Sequence, residues 1–170
     1  MVSSARRLVI AAVLAVAFVA ACSSSTSPPA PSATTQPITD FLFQLRPVLS
    51  NYSDWKRDFL RLLTVVSSMD RESAITRLDE IVAKAASNER ALQALAPPLD
   101  AYALRAHGQW LAAARTNQQV LALYREAIAA GKGAGVDHAR LQSLVAQATT
   151  AEEQADAALT ALKTRYKLAP

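Results

Sequence analysis

A single cysteine in 170 residues leaves no partner for an internal disulfide, so packing alone must hold whatever this chain folds into. Four glycines are too few for a protein built from many tight turns, and eight prolines without a repeat exclude a collagen-like rod. Aromatic residues make up only 6% and charged residues 19%, against 51% hydrophobic, which suits neither a disordered acidic segment nor a nucleic-acid-binding basic one. No apolar run reaches the roughly 20 residues needed to cross a bilayer. What is abundant is Ala, Leu, Gln and Arg, the composition of helices.

The first 21 residues have the layout of an export leader. Arg6 and Arg7 precede fourteen residues, 8–21, without a charge. Val19-Ala20-Ala21-Cys22 then places an aliphatic residue and two small ones before the only cysteine. This tetrapeptide resembles the bacterial lipobox. The resemblance implies that the Cys22 thiol is alkylated with a diacylglycerol and that the leader is cut between Ala21 and Cys22. Small side chains let the chain extend through a peptidase cleft, and a thiolate is the best side-chain nucleophile for alkyl transfer. The competing reading is an ordinary signal-peptidase site with an unused thiol. Losing the leader leaves sixteen basic against fourteen acidic residues, a net of +2, so charge offers no support for a nucleic-acid partner.

Residues 22–37 read as a lipidated cysteine and its tether. Twelve of the fifteen residues from Ser23 to Pro37 are Ser, Thr or Pro, with no charge and nothing apolar to bury. Its hydroxyl density also suits O-glycosylation. From residue 38 onward hydrophobic residues recur at three and four. The stripes are Leu42, Leu45, Leu49, Tyr52, Trp55, Phe59, Leu62; then Ile75, Leu78, Val82, Ala85, Leu92; then Ala103, His107, Leu111, Ala114, Leu121, Tyr124; then Leu144, Ala148, Ala155, Leu159, Leu162. Asp70 is placed to cap the second helix. Pro97-Pro98 ends it and starts the third, and Gly131, Gly133 and Gly135 break the chain before Asp137 caps the fourth. The expected architecture is all-α: four helices over about 39–69, 71–96, 98–130 and 137–167, joined by short turns in an up-down-up-down antiparallel bundle occupying 38–170. Pro47 either kinks the first helix or splits it. Trp55 and Trp110 are expected near mid-bundle.

Chemistry is sparse. No Glu-x-x-His or Cys-x-x-Cys-His occurs, so neither a di-iron bundle nor an attached haem is expected, and no metal or other cofactor is read. Gly131 to Gly135 lacks the strand context and Gly-Lys-Ser/Thr ending of a phosphate loop. Asp79-Glu80 and Glu152-Glu153 read as solvated pairs, and Lys56 and Arg57 as exposed charges beside core aromatics. His107 reads as a half-buried imidazole hydrogen-bonded across the bundle.

The Ala-rich helices, the Pro-Pro turn and the histidine nine residues after Pro98 resemble a recurrent type of small helical lipoprotein of actinobacteria and other high-GC bacteria, over about residues 22–168. That type brings no activity, so the resemblance implies lipidation of Cys22 and no more. The expectation is a non-enzymatic binding or scaffold module on the outer face of a bacterial membrane, held by lipid and meeting an envelope protein or cell-wall partner. The alternative is a carrier or sensor admitting an apolar small molecule between helices, lined by Tyr52, Trp55, His107 and Trp110. Tethering also places Arg46, Lys163, Arg165 and Lys167 at the membrane-proximal end, where they face anionic headgroups or complement a helix dipole.

Overall fold

The computed structural model describes residues 35–131 and 138–168, all within the second of the chain's two units, 31–170. The leader, Cys22, most of the tether, Gly133, Gly135 and Asp137 lie outside the described residues. Among the described residues there are four α-helices and no strand: α1 (Gln36–Val65), α2 (Arg71–Ala94), α3 (Ala101–Ala130) and α4 (His138–Arg165), with a short 3-10 helix, Val66–Ser68, after α1. The domain is a helical bundle. No described helix is long and apolar enough to cross a membrane.

Helix α1 begins at Gln36, so Gln36 and Pro37 belong to its first turn and not to the preceding segment. A proline there is preorganised for helix and lacks only an N–H that has no intrahelical partner anyway. Pro47 does not split α1, which runs unbroken for 30 residues around it. Asp70 caps α2 as its spacing suggests, accepting from Ser73 N at 2.9 Å. Helix α2 stops at Ala94 and α3 waits until Ala101, three residues beyond the start expected at Pro98. The reason is Asp100. Its extended backbone lets Oδ1 accept from Tyr102 N and Ala103 N, both at 2.9 Å, and two satisfied donors outweigh an earlier start at proline.

Gly131 closes α3 at φ 81°, in the left-handed region glycine tolerates. After α4, Lys167 takes φ 52°. Leu168 N donates to Lys163 O at 3.0 Å and Lys167 N to Thr164 O at 3.2 Å, the paired bonds of a Schellman cap.

The core is one apolar cluster fed by all four helices. Helix α1 contributes the large residues, including Phe41, Leu45, Tyr52, Trp55 and Phe59, whereas α4 contributes Ala148, Ala155, Ala158 and Leu162. In α2 the buried face is Ala74, Leu78, Ile81, Ala85, Asn88 and Leu92, so Ile75 and Val82 sit at its edge and not its centre. In α3 it is centred on Ala103, Ala106, Trp110, Ala113, Asn117 and Val120, leaving His107 and Leu111 half-buried. Cross-helix bonds fix which residues meet: Asp58 with Lys84, Val48 O with Asn88 Nδ2, Asp79 with Arg125, Glu89 with Arg115, and Asp100 with Tyr166.

Candidate functional site

Tyr52, Trp55 and Lys56 fall on one face of α1, being three and four residues apart. Opposite them stand Asn117 of α3 and Glu152 of α4. Glu152 Oε1 accepts from Tyr52 OH at 2.7 Å and from Asn117 Nδ2 at 2.8 Å, and Oε2 accepts from Lys56 Nζ. Asn117 Nδ2 also reaches Tyr52 OH at 2.7 Å and Ala113 O at 3.0 Å, so its two protons are shared among three oxygens. The Glu152 and Lys56 side chains retain only 13% and 28% of their exposure, which makes this a half-sunken ion pair.

Burial first, then the neighbouring Glu152 charge and its hydrogen bond, push the Tyr52 hydroxyl far above its ordinary value, so it stays protonated and donates. One turn on, the Asp156 residue is exposed at the surface, yet partial desolvation of its carboxyl and then Glu152 raise it, with Lys56 opposing. The reading of Glu152-Glu153 as a solvated pair is therefore corrected at Glu152, and that of Lys56 as an exposed charge is corrected too. Desolvated tyrosine and asparagine donors next to a lysine make a better home for a carboxylate than a bare apolar wall would. Glu153 and Arg57 are exposed.

Two of the four residues expected to line a ligand pocket pack edge-on against a third. The Tyr52 ring meets Trp55 at 5.0 Å and 70° and Trp110 at 5.3 Å and 77°. Both indole Nε1 atoms are buried without a hydrogen-bond partner. His107 looks elsewhere: its ring meets Phe41 at 6.3 Å, and Nε2 lies 2.7 Å from Leu92 O. A carbonyl can only accept, so Nε2 carries the proton and the imidazole closes the last turn of α2 from the side. Two surface grooves are present, one beside Leu123, Arg140 and Gln147, the other beside Asp58, Arg61 and Arg77; neither is lined by Tyr52, Trp55, His107 or Trp110. Among the described residues no three of His, Cys, Asp and Glu are grouped to hold a metal ion.

At one end of the bundle, Tyr166 OH donates to Asp100 Oδ2 at 2.7 Å, bringing the close of α4 against the α2–α3 connection. That bond, ahead of the Ala103 and Tyr102 amides and the Arg165 charge, holds Asp100 below the usual carboxylate range. Lys163, Arg165 and Lys167 are thus carried to this end. Arg46 sits ten residues into α1, about 15 Å along its axis, on the exposed side of the helix. Ala21 and Cys22 lie outside the described residues.

Asn88 and Asn117 are not singled out by the sequence and Glu152 is read there only as solvated, yet each carries a signal. They stand where an apolar stripe should continue: Asn88 between Ala85 and Leu92, Asn117 between Ala113 and Val120, and Glu152 between Ala148 and Ala155. A polar residue at a core position needs a buried partner. Compared with protein-family models, curated proteins and solved structures, the sequence finds no match.

Proposed function

We propose that this protein is an exported lipoprotein, cleaved before Cys22 and held by a diacylglyceryl thioether on the outer face of a bacterial membrane, with residues 38–170 as a non-enzymatic binding or scaffold module. Val19-Ala20-Ala21-Cys22 carries the reading, because the sole cysteine stands at the one position that pattern requires. Two acyl chains, at about 0.8 kcal/mol per buried methylene, give durable anchorage where one chain gives only marginal binding. An up-down-up-down arrangement is the finer fold this reading takes. Residue numbers that rise along one helix while falling along the next support it, as in Asp79 with Arg125 and Glu89 with Arg115, as do Phe41 with His107 and Phe59 with Tyr124, which rise together on α1 and α3. The Glu152 cluster is read as a tie among helices, because its carboxylate accepts from α1 and α3 at once.

The test is mass spectrometry on the protein from a bacterial host. The expected product lacks residues 1–21 and carries a diacylglyceryl group on Cys22, and Cys22→Ala releases the chain from the membrane. A retained leader or a bare sulfur on membrane-bound chain overturns the proposal.

A second reading, a carrier or sensor of an apolar small molecule or lipid, has one observation behind it: the buried, unpartnered indole N–H groups of Trp55 and Trp110, donors that the ester or carboxyl oxygen of a lipid would satisfy. It predicts a change in the emission of these two tryptophans when phospholipid or free fatty acid is added in detergent-free buffer. Unchanged emission overturns it.

A further inference from the structure

Resting on the lipoprotein reading above, we propose that the end of the bundle where the chain enters is a bilayer-docking surface. Leu99 and Tyr102 enter the headgroup region there, and Lys163, Arg165 and Lys167 bind anionic lipid phosphates.

Three contacts assemble this end. Tyr166 bonds Asp100, His107 bonds Leu92 O, and Phe41 packs on His107. The opening turns of α1, the 95–100 connection, the start of α3 and the close of α4 therefore lie together. Cys22 is thirteen residues before Thr35 in the sequence, a contour length of about 45 Å.

The surface itself is unlike a solvated turn. Leu99 is 100% exposed, and Tyr102 and Leu104 follow at 42% and 46%. Pro97 and Pro98 fix φ in the connection that carries Leu99, and Asp100 N donates to Pro98 O at 2.7 Å, so Leu99 is presented from a constrained segment. A single exposed leucine is ordinary. A fully exposed one three residues before a half-exposed tyrosine, in a connection bonded to the basic close of α4, matches the interfacial pattern of an aliphatic wedge, an amphipathic ring and basic residues.

Asp100, bonded by Tyr166 and the α3 amides, and Asp40, bonded by Gln36, keep their charge, so they offset two of the cations gathered here. Arg105 adds a further exposed cation to the start of α3. Lys167 is the most telling. It holds a left-handed backbone position that glycine fills without steric penalty, yet the residue there is a cation.

Each basic residue near an anionic leaflet strengthens binding roughly fivefold, so three give about a hundredfold. That is weak for a free protein. For a tethered one, whose effective concentration at the surface is in the millimolar range, it is enough to set orientation.

The mature protein, reconstituted through its own lipid into vesicles, gives the test. The Cys22 sulfur is capped as a thioether, so a polarity-sensitive fluorophore reacts only with Leu99→Cys, or with Ser67→Cys at the opposite end as a control. On vesicles with about 30% phosphatidylglycerol, the label at position 99 is expected to brighten several-fold and shift to the blue while that at 67 does not. Lys163→Glu with Lys167→Glu is expected to cancel the response without detaching the protein. A label at 99 that stays water-like on protein that floats with the vesicles overturns this inference and leaves the lipoprotein reading standing. Equal shifts at 67 and 99 also overturn it, since the bundle would then lie flat. Protein that fails to float, with Cys22 unmodified, overturns both.

Discussion

Glu152 is a single charge on which three helices converge, and its removal separates two effects. Replacing it with alanine deprives the Tyr52 hydroxyl, the Asn117 amide and the Lys56 ammonium of an acceptor at once. We expect Glu152→Ala to cost about 2–3 kcal/mol in urea unfolding, because buried donors are left unmatched. Lys56→Met should cost less than half of that, since its stem can still cover apolar surface and Glu152 keeps two neutral donors. A double-mutant cycle in which the two losses simply add would mean the ion pair contributes nothing. Asp156 is shifted the opposite way from Asp58, Asp70, Asp79 and Asp100. Burial raises it in the folded state, so its charge opposes folding as pH rises through and above its unfolded value, and that opposition disappears in acid. Asp156→Asn is therefore expected to raise the melting temperature at pH 7 and leave it unchanged at pH 3. A drop at pH 7 would show that its attraction to Lys56 outweighs desolvation.

At the scale of the helix, ends and interruptions decide what the sequence makes legible. Periodicity locates all four helices, and Asp70 is readable as a cap because a helical pattern starts immediately after it. Asp100 is harder to read. Pro97 and Pro98 draw attention as the obvious punctuation, yet the residue preceding a proline leaves the helical region and a carboxylate two positions later captures the amides. Asp100→Ala removes that cap and the bond from Tyr166 together, with an expected cost of about 1–2 kcal/mol at pH 7. Its folded value is lowered, so this contribution is present above the unfolded carboxylate value and fades as pH falls through the folded one. The gap between wild type and variant should narrow as pH falls below the unfolded carboxylate value, and a gap that stays constant on acidification would refute the assignment. In α2 the expected stripe meets the buried face at Leu78, Ala85 and Leu92 and departs from it at Ile75 and Val82, whose neighbours Ala74 and Ile81 are buried instead, while Asn88 continues that face as a polar residue. Its Nδ2 donates to Val48 O at 2.7 Å, one residue after Pro47. Pro47 itself removes the amide that would bond Phe43 O inside an unbroken helix, so Pro47→Ala is expected to stabilise the domain by about 1–3 kcal/mol. Denaturant midpoints that fail to rise would mean the helix bends at Pro47 to gain packing elsewhere.

For the molecule as a whole, apolar volume is unevenly shared. Helix α1 supplies the bulky side chains and α4 mostly alanines, so separating α4 exposes less apolar surface than separating α1 would. Native-state hydrogen exchange should find the least protected core amides in α4, with α1 exchanging only at the global rate. Uniform protection across the four helices would contradict this. The fold class was legible because one-sided helical stripes and short connections leave few other ways to bury them. The polar tie at mid-bundle was not, because its members lie 35 to 100 residues apart and only the assembled helices bring them within bonding distance.

An alanine seam is smooth. Slid by one helical turn, Ala148, Ala155 and Ala158 would meet a neighbour of much the same contour, and several alignments would compete at nearly equal energy. Glu152 breaks that degeneracy. Displaced by about 5.4 Å, its carboxylate would lose the Tyr52 and Asn117 donors aligned with it, so Glu152, together with the bulk of Leu162, acts as the detent that selects a single docking position.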